Sequence, residues 1–447
     1  MKKIYIVGIG GIGISAIARY YKQIGYEVFG SDKTSSKLTE TLQSEGIQIT
    51  IGENPDLIDK SFEQLIYSEA IPETQPERQK AEQLGIQTFS YPQSVGNIAN
   101  KTFFIAIAGT HGKSTTTSMT SLVLKNSTKN FTSIVGTLLT EFGGKNFFHR
   151  FNGHENENKE YFVLEACEYK RSFLNYSPDI LAITNIELDH LDYYKDEADY
   201  ISAFASAIKN IKSGGYVILN KNEKNSASLA NIRDDIHYIW IDNSQYIFEE
   251  TMHIFPQMHL QLHGDHILFD AKIAYIVGKI LELENKQILE SLENYKGVWR
   301  RMERVGYTQN DNLVISDYAH HPTEIQKTLS SLQTTFPDQK ILTIFQPHQY
   351  SRTLELLDDF IHSFTETDIL IIPDIYESRD SEEDKQKINT QKFVDFIRHS
   401  EKYNGQGFKN TISLLEEFEE KHEKGELVII LMGAGNVDNL REDIVKK

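Results

Sequence analysis

A chain of 447 residues, 39% hydrophobic and 25% charged, is too long for one core and reads as roughly two to four globular domains. Its net charge of −18 repels a phosphate backbone and no basic stripe offsets it, which excludes a nucleic-acid partner. A single cysteine, Cys167, forbids an intrachain disulfide and fits a reducing, cytoplasmic compartment, and no apolar run reaches the roughly 20 residues that would span a membrane.

From the N-terminus, Lys2-Lys3, an apolar run and Ala16-Ile17-Ala18 imitate a secretion signal, but Gly8, Gly10, Gly11 and Gly13 interrupt the helix that a signal needs. Short apolar runs then recur at Ile4–Val7, Phe103–Ala108, Ile180–Ile183, Tyr216–Leu219, Leu313–Ile315, Ile341–Phe345, Ile369–Ile372 and Leu427–Leu431. Each is apolar on both faces, as strands of a helix-covered parallel sheet are, and helical-period segments lie between many of them. The fold class is α/β in three blocks: residues 1–100, Rossmann-like; 101–297, resembling a P-loop ATPase; and 298–447, again Rossmann-like. The stretch Asn222–Met258 reads as polar and irregular, and Ser381–Asp384 as a solvated acidic loop. Ligands of such sheets sit beyond the carboxyl ends of the strands, so chemistry is sought in the residues after each run.

Gly8-x-Gly10-x-x-Gly13 follows the first strand and opens a helix predicted over Ile14–Gln23. Its glycines permit a tight turn and close backbone approach to a diphosphate at a helix N-terminus. Asp32 follows a second strand-like run, Val28-Phe29, where a carboxylate accepts from ribose hydroxyls. Gly10, Gly11, Gly13, Ser31, Asp32 and Ser68 are therefore candidate substrate-binding residues. Alone, this pattern equally suggests a nicotinamide dinucleotide. A second loop, Ala108-Gly109-Thr110-His111-Gly112-Lys113-Ser114-Thr115, follows the strand Phe103–Ala108 and precedes a helix expected near Thr115. Its amides cradle phosphates, Lys113 neutralises their charge and the Ser114 hydroxyl ligates Mg²⁺; Ile107 stands where the strict consensus has glycine. Gly109, Thr110, His111, Gly112, Lys113, Ser114 and Thr115 are assigned to ATP. Two nucleotide loops in separate blocks fit an enzyme that spends ATP on a second, nucleotide-bearing substrate better than a dehydrogenase.

The segments 108–117, Glu165-Ala166-Cys167-Glu168-Tyr169, Thr184-Asn185-Ile186-Glu187-Leu188-Asp189-His190, Asp317–Glu324 and Phe345–Thr353 resemble the Mur ligase family, in the family's order and over nearly the whole chain. The last two look most like the branch that joins L-alanine to UDP-N-acetylmuramate. That resemblance implies phosphorylation of the lactyl carboxylate by ATP, attack by the amino group of alanine on the acyl phosphate, and a cytoplasmic monomer or weak homo-oligomer with ATP and Mg²⁺ as cofactors. By the same resemblance, Lys113 is the centre of phosphoryl transfer, Ser114 and Glu165 hold one Mg²⁺, and His190 lies near a second. Asp317 lies on the ATP side, Arg300 and Arg301 contact ATP, and His266 and Asp270 lie toward the adenine. Tyr318, His320 and Arg352 face the amino acid: Arg352 pairs its carboxylate, and His320 draws the proton from its amine. The bland readings are a surface charge pair for Arg300-Arg301 and a hydrogen-bonded structural histidine for His320.

This chain departs from the family in places. Ile201–Ser206 contains no lysine where later ligases of the family carry a carbamylated one. Ile267 and Asp270 stand where the adenine motif has asparagines, and Gln349 where many alanine-adding members have arginine. Cys167 is read as a small buried residue rather than a nucleophile. Two alternatives stay open: a recycling ligase that adds a preformed tripeptide to the same UDP-sugar, and a non-catalytic nucleotide-binding regulator.

Overall fold

The computed structural model describes residues 2–151, 159–262, 264–378 and 380–446. The strands are β1 (Lys3–Val7), β2 (Glu27–Asp32), β3 (Gln48–Ile51), β4 (Phe62–Tyr67), β5 (Gln87–Ser90), β6 (Phe103–Ala108), β7 (Asn130–Leu139), β8 (Lys145–Arg150), β9 (Glu160–Glu165), β10 (Ile180–Ile183), β11 (Tyr216–Asn220), β12 (His237–Asp242), β13 (Gln245–Phe248), β14 (Thr251–Ile254), β15 (Glu303–Tyr307), β16 (Leu313–Asp317), β17 (Lys340–Phe345), β18 (Ile369–Ile372), β19 (Lys402–Asn404) and β20 (Leu427–Met432). They form three sheets, in the orders β3-β2-β1-β4-β5, β14-β13-β12-β11-β10-β6-β9-β7-β8 and β15-β16-β20-β17-β18-β19.

The first sheet is wholly parallel. In β1, Ile4 and Ile6 enter one core and Tyr5 and Val7 another, as the two-residue period of a strand covered on both faces requires. The third sheet repeats this division. Ile341, Phe345, Leu370, Ile430 and Met432 face one core, and Leu342, Ile344, Ile371, Ile429 and Leu431 the other. The second sheet is parallel from β7 through β12 and antiparallel at both ends.

Three sequence expectations change here. The segment Asn222–Met258 is not irregular throughout, because β12–β14 extend the second sheet as an antiparallel meander. Asn243, Glu249 and Glu250 take positive φ angles of 47°, 47° and 61° at its turns, a conformation that polar residues tolerate and that composition does not announce. Ser381 caps a helix, Glu382–Lys387, by accepting from the Asp384 amide at 3.2 Å, so the acidic stretch is a helical first turn. The helices after the two glycine loops begin at Ile12 and Lys113, two residues earlier than expected.

Two compact units emerge: Met1–Leu260 with Leu268–Tyr295, and Gln261–Ile267 with Lys296–Lys447. Within the first, Arg19 ties the first block to the β7–β8 hairpin. The Arg19 side chain is 4% exposed, with Nε 2.9 Å from Glu45 Oε2; its Nη1 donates to Asn146 Oδ1 at 2.6 Å. Asn146 Nδ2 in turn donates to the Ile12 carbonyl and, at 3.2 Å, to Ser15 Oγ. Removing one member of a buried ion pair strands the other and costs about 3–5 kcal/mol. Arg19→Ala should therefore lower the melting temperature by several degrees in differential scanning calorimetry; a change within experimental scatter would contradict this account.

Candidate active site

β9, β6 and β10 are neighbours in the second sheet, so their carboxyl ends gather Glu165, the loop Gly109–Gly112 and the segment Thr184–His190. The loop needs its glycines. Gly109 has φ +130°, and a methyl there would lie 2.1 Å from Thr184 Oγ1. Gly112 caps the helix Lys113–Lys125 at φ +80°, and a methyl there would meet Asp270 Oδ1 at 2.7 Å.

The Thr184–His190 segment braces the loop. Thr110 Oγ1 donates to the Glu187 carbonyl at 2.7 Å and accepts the Glu187 amide at 2.9 Å. Asn185 Oδ1 accepts the His111 amide at 3.0 Å, and Asn185 Nδ2 donates to the His111 carbonyl at 3.0 Å. His111 Nε2 lies 3.2 Å from Glu187 Oε2. Thr110 and His111 are thus engaged in shaping the loop.

Lys113 Nζ donates to the carbonyls of Gly109 and Thr110 at 2.6 and 2.9 Å and lies 3.0 Å from Glu168 Oε2. The Glu168 side chain has no exposed surface, and its other oxygen is 3.3 Å from His190 Nε2. Burial works to raise the Glu168 carboxyl, but the Lys113 ammonium and His190 outweigh it and hold the group below the usual carboxylate range. Burial likewise works to lower Lys113, and Glu168 reverses it to leave the ammonium above its ordinary value. His190 has φ +57°, and its ring packs 4.6 Å from that of Tyr169. Glu168 carried no assigned role in the sequence; a second carboxylate three residues beyond Glu165 in the same motif was the available signal.

Ser114 Oγ donates to Glu165 Oε1 at 3.0 Å, and the Gly136 amide to Oε2 at 2.8 Å. A hydroxyl and a carboxylate in contact at the start of a phosphate-loop helix are hard oxygen donors of the kind magnesium prefers, so the residues present fit a Mg²⁺–triphosphate. Asp270 is buried and accepts from Thr116 Oγ1 at 2.8 Å, which commits one of its oxygens to the loop's own helix. His266 lies in the segment that clusters with the second unit; burial pushes its imidazole down to about 4, so it is neutral at pH 7. Cys167 is exposed, contrary to expectation.

At the first loop, Gly10 N donates to Asp32 Oδ2 at 2.8 Å, and the Gly8 and Ile9 amides donate to the Ser31 carbonyl at 2.8 and 3.1 Å. Asp32 and the buried Ser31 therefore hold the loop in shape, and Asp32 ends β2 itself. The Gly11 carbonyl accepts from Ser15 N at 3.0 Å, which leaves the amides of residues 12–14 at the open end of the helix Ile12–Gln23. A methyl on Gly8 would lie 3.1 Å from Ser68 Cβ.

In the second unit, Asp317 ends β16. Its carboxylate accepts the Met302 and Ala319 amides at 2.7 and 2.8 Å. Burial raises it above the ordinary range despite Arg301 and these amides. The Tyr318 ring lies 4.9 Å from the Arg300 guanidinium and 5.2 Å from that of Arg301. Arg300 is 6% exposed, which removes the reading of a surface charge pair. His320 Nδ1 lies 3.1 Å from the Tyr318 carbonyl and 3.3 Å from Glu324 Oε2. Arg352 is half-buried on the short helix Tyr350–Glu355. Gln349, which precedes that helix, has φ +73° and accepts from the Thr353 hydroxyl through its carbonyl at 2.6 Å. Gln346 Nε2 braces the same edge by donating to Asp374 at 2.6 Å and Asn436 at 2.9 Å.

A glycine-rich phosphate loop with a hydroxyl–carboxylate pair at the start of its helix and a carboxylate against its lysine, at the carboxyl edge of a parallel sheet, defines a nucleoside-triphosphate-using α/β enzyme. Residues 3–102, 107–285 and 300–435 match, in turn, the family descriptions "Mur ligase family, catalytic domain", "Mur ligase middle domain" and "Mur ligase, glutamate ligase domain". Among curated proteins, the chain is 36% identical to the UDP-N-acetylmuramate–L-alanine ligase of Clostridium novyi, over 99% of this chain and 96% of that one. It is 34% identical to the ligase of the same name from Clostridium acetobutylicum, over 100% and 98%. The chain belongs to the Mur ligase family. Its fold is similar to that of the UDP-N-acetylmuramate-alanine ligase of Thermotoga maritima, with 24% identity, a TM-score of 0.76 and coverage of 99% and 98%. It is also similar to a murein peptide ligase of Psychrobacter arcticus, with 20% identity, a TM-score of 0.69 and the same coverage.

The Glu168 shift has a pH consequence. A carboxyl depressed in the folded state stabilises it fully above the unfolded value, about 4.5, and this contribution fades as pH falls toward the folded value. Glu168→Gln removes it. Acid unfolding followed by circular dichroism should show the wild type losing more stability than the variant as pH falls below about 4.5; parallel curves would refute the pairing.

Proposed function

We propose that this enzyme joins L-alanine to the lactyl carboxylate of UDP-N-acetylmuramate at the expense of ATP, in peptidoglycan precursor synthesis. The observation that carries the reading is full-length similarity to curated L-alanine ligases, in a chain whose phosphate loop sits against the Ser114–Glu165 pair. The reading carries a cytoplasmic location, where ATP and nucleotide sugars are available; no helix among the described residues is long and apolar enough to cross a membrane.

A carboxylate is a poor electrophile, and its conversion to an acyl phosphate supplies a leaving group. Lys113 and the amides of Gly109–Ser114 hold the triphosphate, and phosphoryl transfer then rests on positioning and charge neutralisation. Ser114 and Glu165 would hold one Mg²⁺ and His190 would lie near a second, as the family resemblance implies; bound metal would neutralise charge on the phosphates. Lys113 must exchange its two loop carbonyls for phosphate oxygens, while Glu168 keeps the ammonium charged. The first glycine loop receives the diphosphate of the UDP-sugar at the free amides of residues 12–14. Arg352 pairs the carboxylate of alanine through its guanidinium fork. His320, held by Glu324, takes the proton that the amine must shed before it attacks. The tetrahedral intermediate then expels phosphate and leaves the amide. Tyr318, fixed between Arg300 and Arg301, shapes the amino-acid side, and Asp317 and the arginine pair serve the ATP side.

Phosphate release from purified enzyme should require ATP, Mg²⁺, UDP-N-acetylmuramate and L-alanine together, and Lys113→Ala should reduce it by at least about a thousandfold with UDP-sugar binding retained. Turnover that depends on a preformed tripeptide instead would assign the chain to the recycling ligases. No turnover with any amine, despite nucleotide binding, would assign it to the regulators.

A further inference from the structure

The helix Tyr91–Ala99 starts where β5 ends, on the same edge of the first sheet as the glycine loop. It is keyed to the segment that follows Glu165 in the second sheet. A methyl on Gly96 would lie 2.6 Å from the Asn175 carbonyl, Asn100 Nδ2 donates to that carbonyl at 3.2 Å, and Asn100 Oδ1 accepts the Ser177 amide at 2.8 Å. These contacts fix the helix whose first residue stands beside the glycine loop.

That residue, Tyr91, leans its phenol over the first turn of the glycine-loop helix. A methyl on Gly13 would lie 3.0 Å from Tyr91 Cζ, 3.1 Å from its oxygen and 3.3 Å from Cε1, so the third glycine of the motif is needed to make room for a tyrosine. The ring packs against the shared core, and the hydroxyl appears in no hydrogen bond among the described residues. Glu165 and Cys167 lie close enough to act on it electrostatically, as does Tyr176 on the same side. A tyrosine phenol is protonated at neutral pH, so toward an anion it can only donate. A phenol O–H that is half open to solvent over the free amides at the open end of a helix, beside a diphosphate loop, is placed to donate to an anion held there.

We propose that Tyr91 is a substrate-positioning residue whose phenol donates a hydrogen bond to a phosphate oxygen of the nucleotide sugar, directing the hexosamine toward Glu165. This inference rests on the UDP-sugar reading of the first loop. Tyr91→Phe keeps the ring and deletes only the donor. Isothermal titration with UDP, and initial rates with UDP-N-acetylmuramate, should show Kd and KM each rising about tenfold, with kcat and the KM for ATP within about twofold and the melting temperature unchanged. A UDP Kd equal to that of the wild type would overturn the contact, as would a fall in kcat at constant KM. A wild-type enzyme that binds UDP but turns over no UDP-N-acetylmuramate would sink the ligase reading, and UDP titration would still decide the role of Tyr91.

Discussion

The site depends on one enclosed charge pair. Lys113 brings a full positive charge into a crevice where only 14% of its side chain is exposed, and desolvation alone would favour the neutral amine, which cannot neutralise a triphosphate. Glu168 removes that difficulty from beneath, and His190 shares the carboxylate. Breaking a buried pair of this kind costs about 3–5 kcal/mol, so Glu168 constrains both the fold and the charge state. The left-handed backbone of His190 is understandable in this frame, since strain persists where surrounding contacts over-determine it.

The sheet delivers the remaining groups. Because β9, β6 and β10 are adjacent and parallel, their carboxyl ends coincide, and three sequence-distant motifs meet without any long loop. The motif Thr184–His190 divides its labour: Thr184, Asn185 and Glu187 hold the phosphate loop, while His190 turns to Glu168. In the first block, Ser31 and Asp32 hold the glycine turn in the same manner, by accepting its backbone amides. Residues that the motifs suggest as ligand contacts are in both loops also the residues that keep the loop in a binding shape.

The second unit has its own economy of charge. Two guanidinium groups flank Tyr318, and Asp317 is enclosed and served by backbone amides. Gln349 stands at a position where the family resemblance led us to expect arginine, yet its backbone is the fixed point. A positive φ and a carbonyl that accepts from Thr353 set the start of the helix carrying Arg352. A change of side chain there leaves in place the carbonyl that accepts from Thr353, and with it the start of the helix carrying Arg352.

Much of this was legible in the chain. Runs apolar on both faces specify buried parallel strands because helices must cover both sides, and glycine spacing marks loops because only glycine accepts those angles and approaches; Ile4–Val7 and Gly109–Gly112 follow from local chemistry alone. The hairpins of β12–β14 were not legible, since their turns are made by Asn243, Glu249 and Glu250 rather than glycine. Nor were the pairing of Glu168 with Lys113, the exposure of Cys167, or the placement of Tyr91 over Gly13. Those facts depend on which strands lie side by side and on how deeply a group is enclosed. Sequence determines the elements and the donors and acceptors they carry. Distance and desolvation, which decide whether a carboxylate is a ligand, a counter-ion or a brace, arise only when remote segments pack.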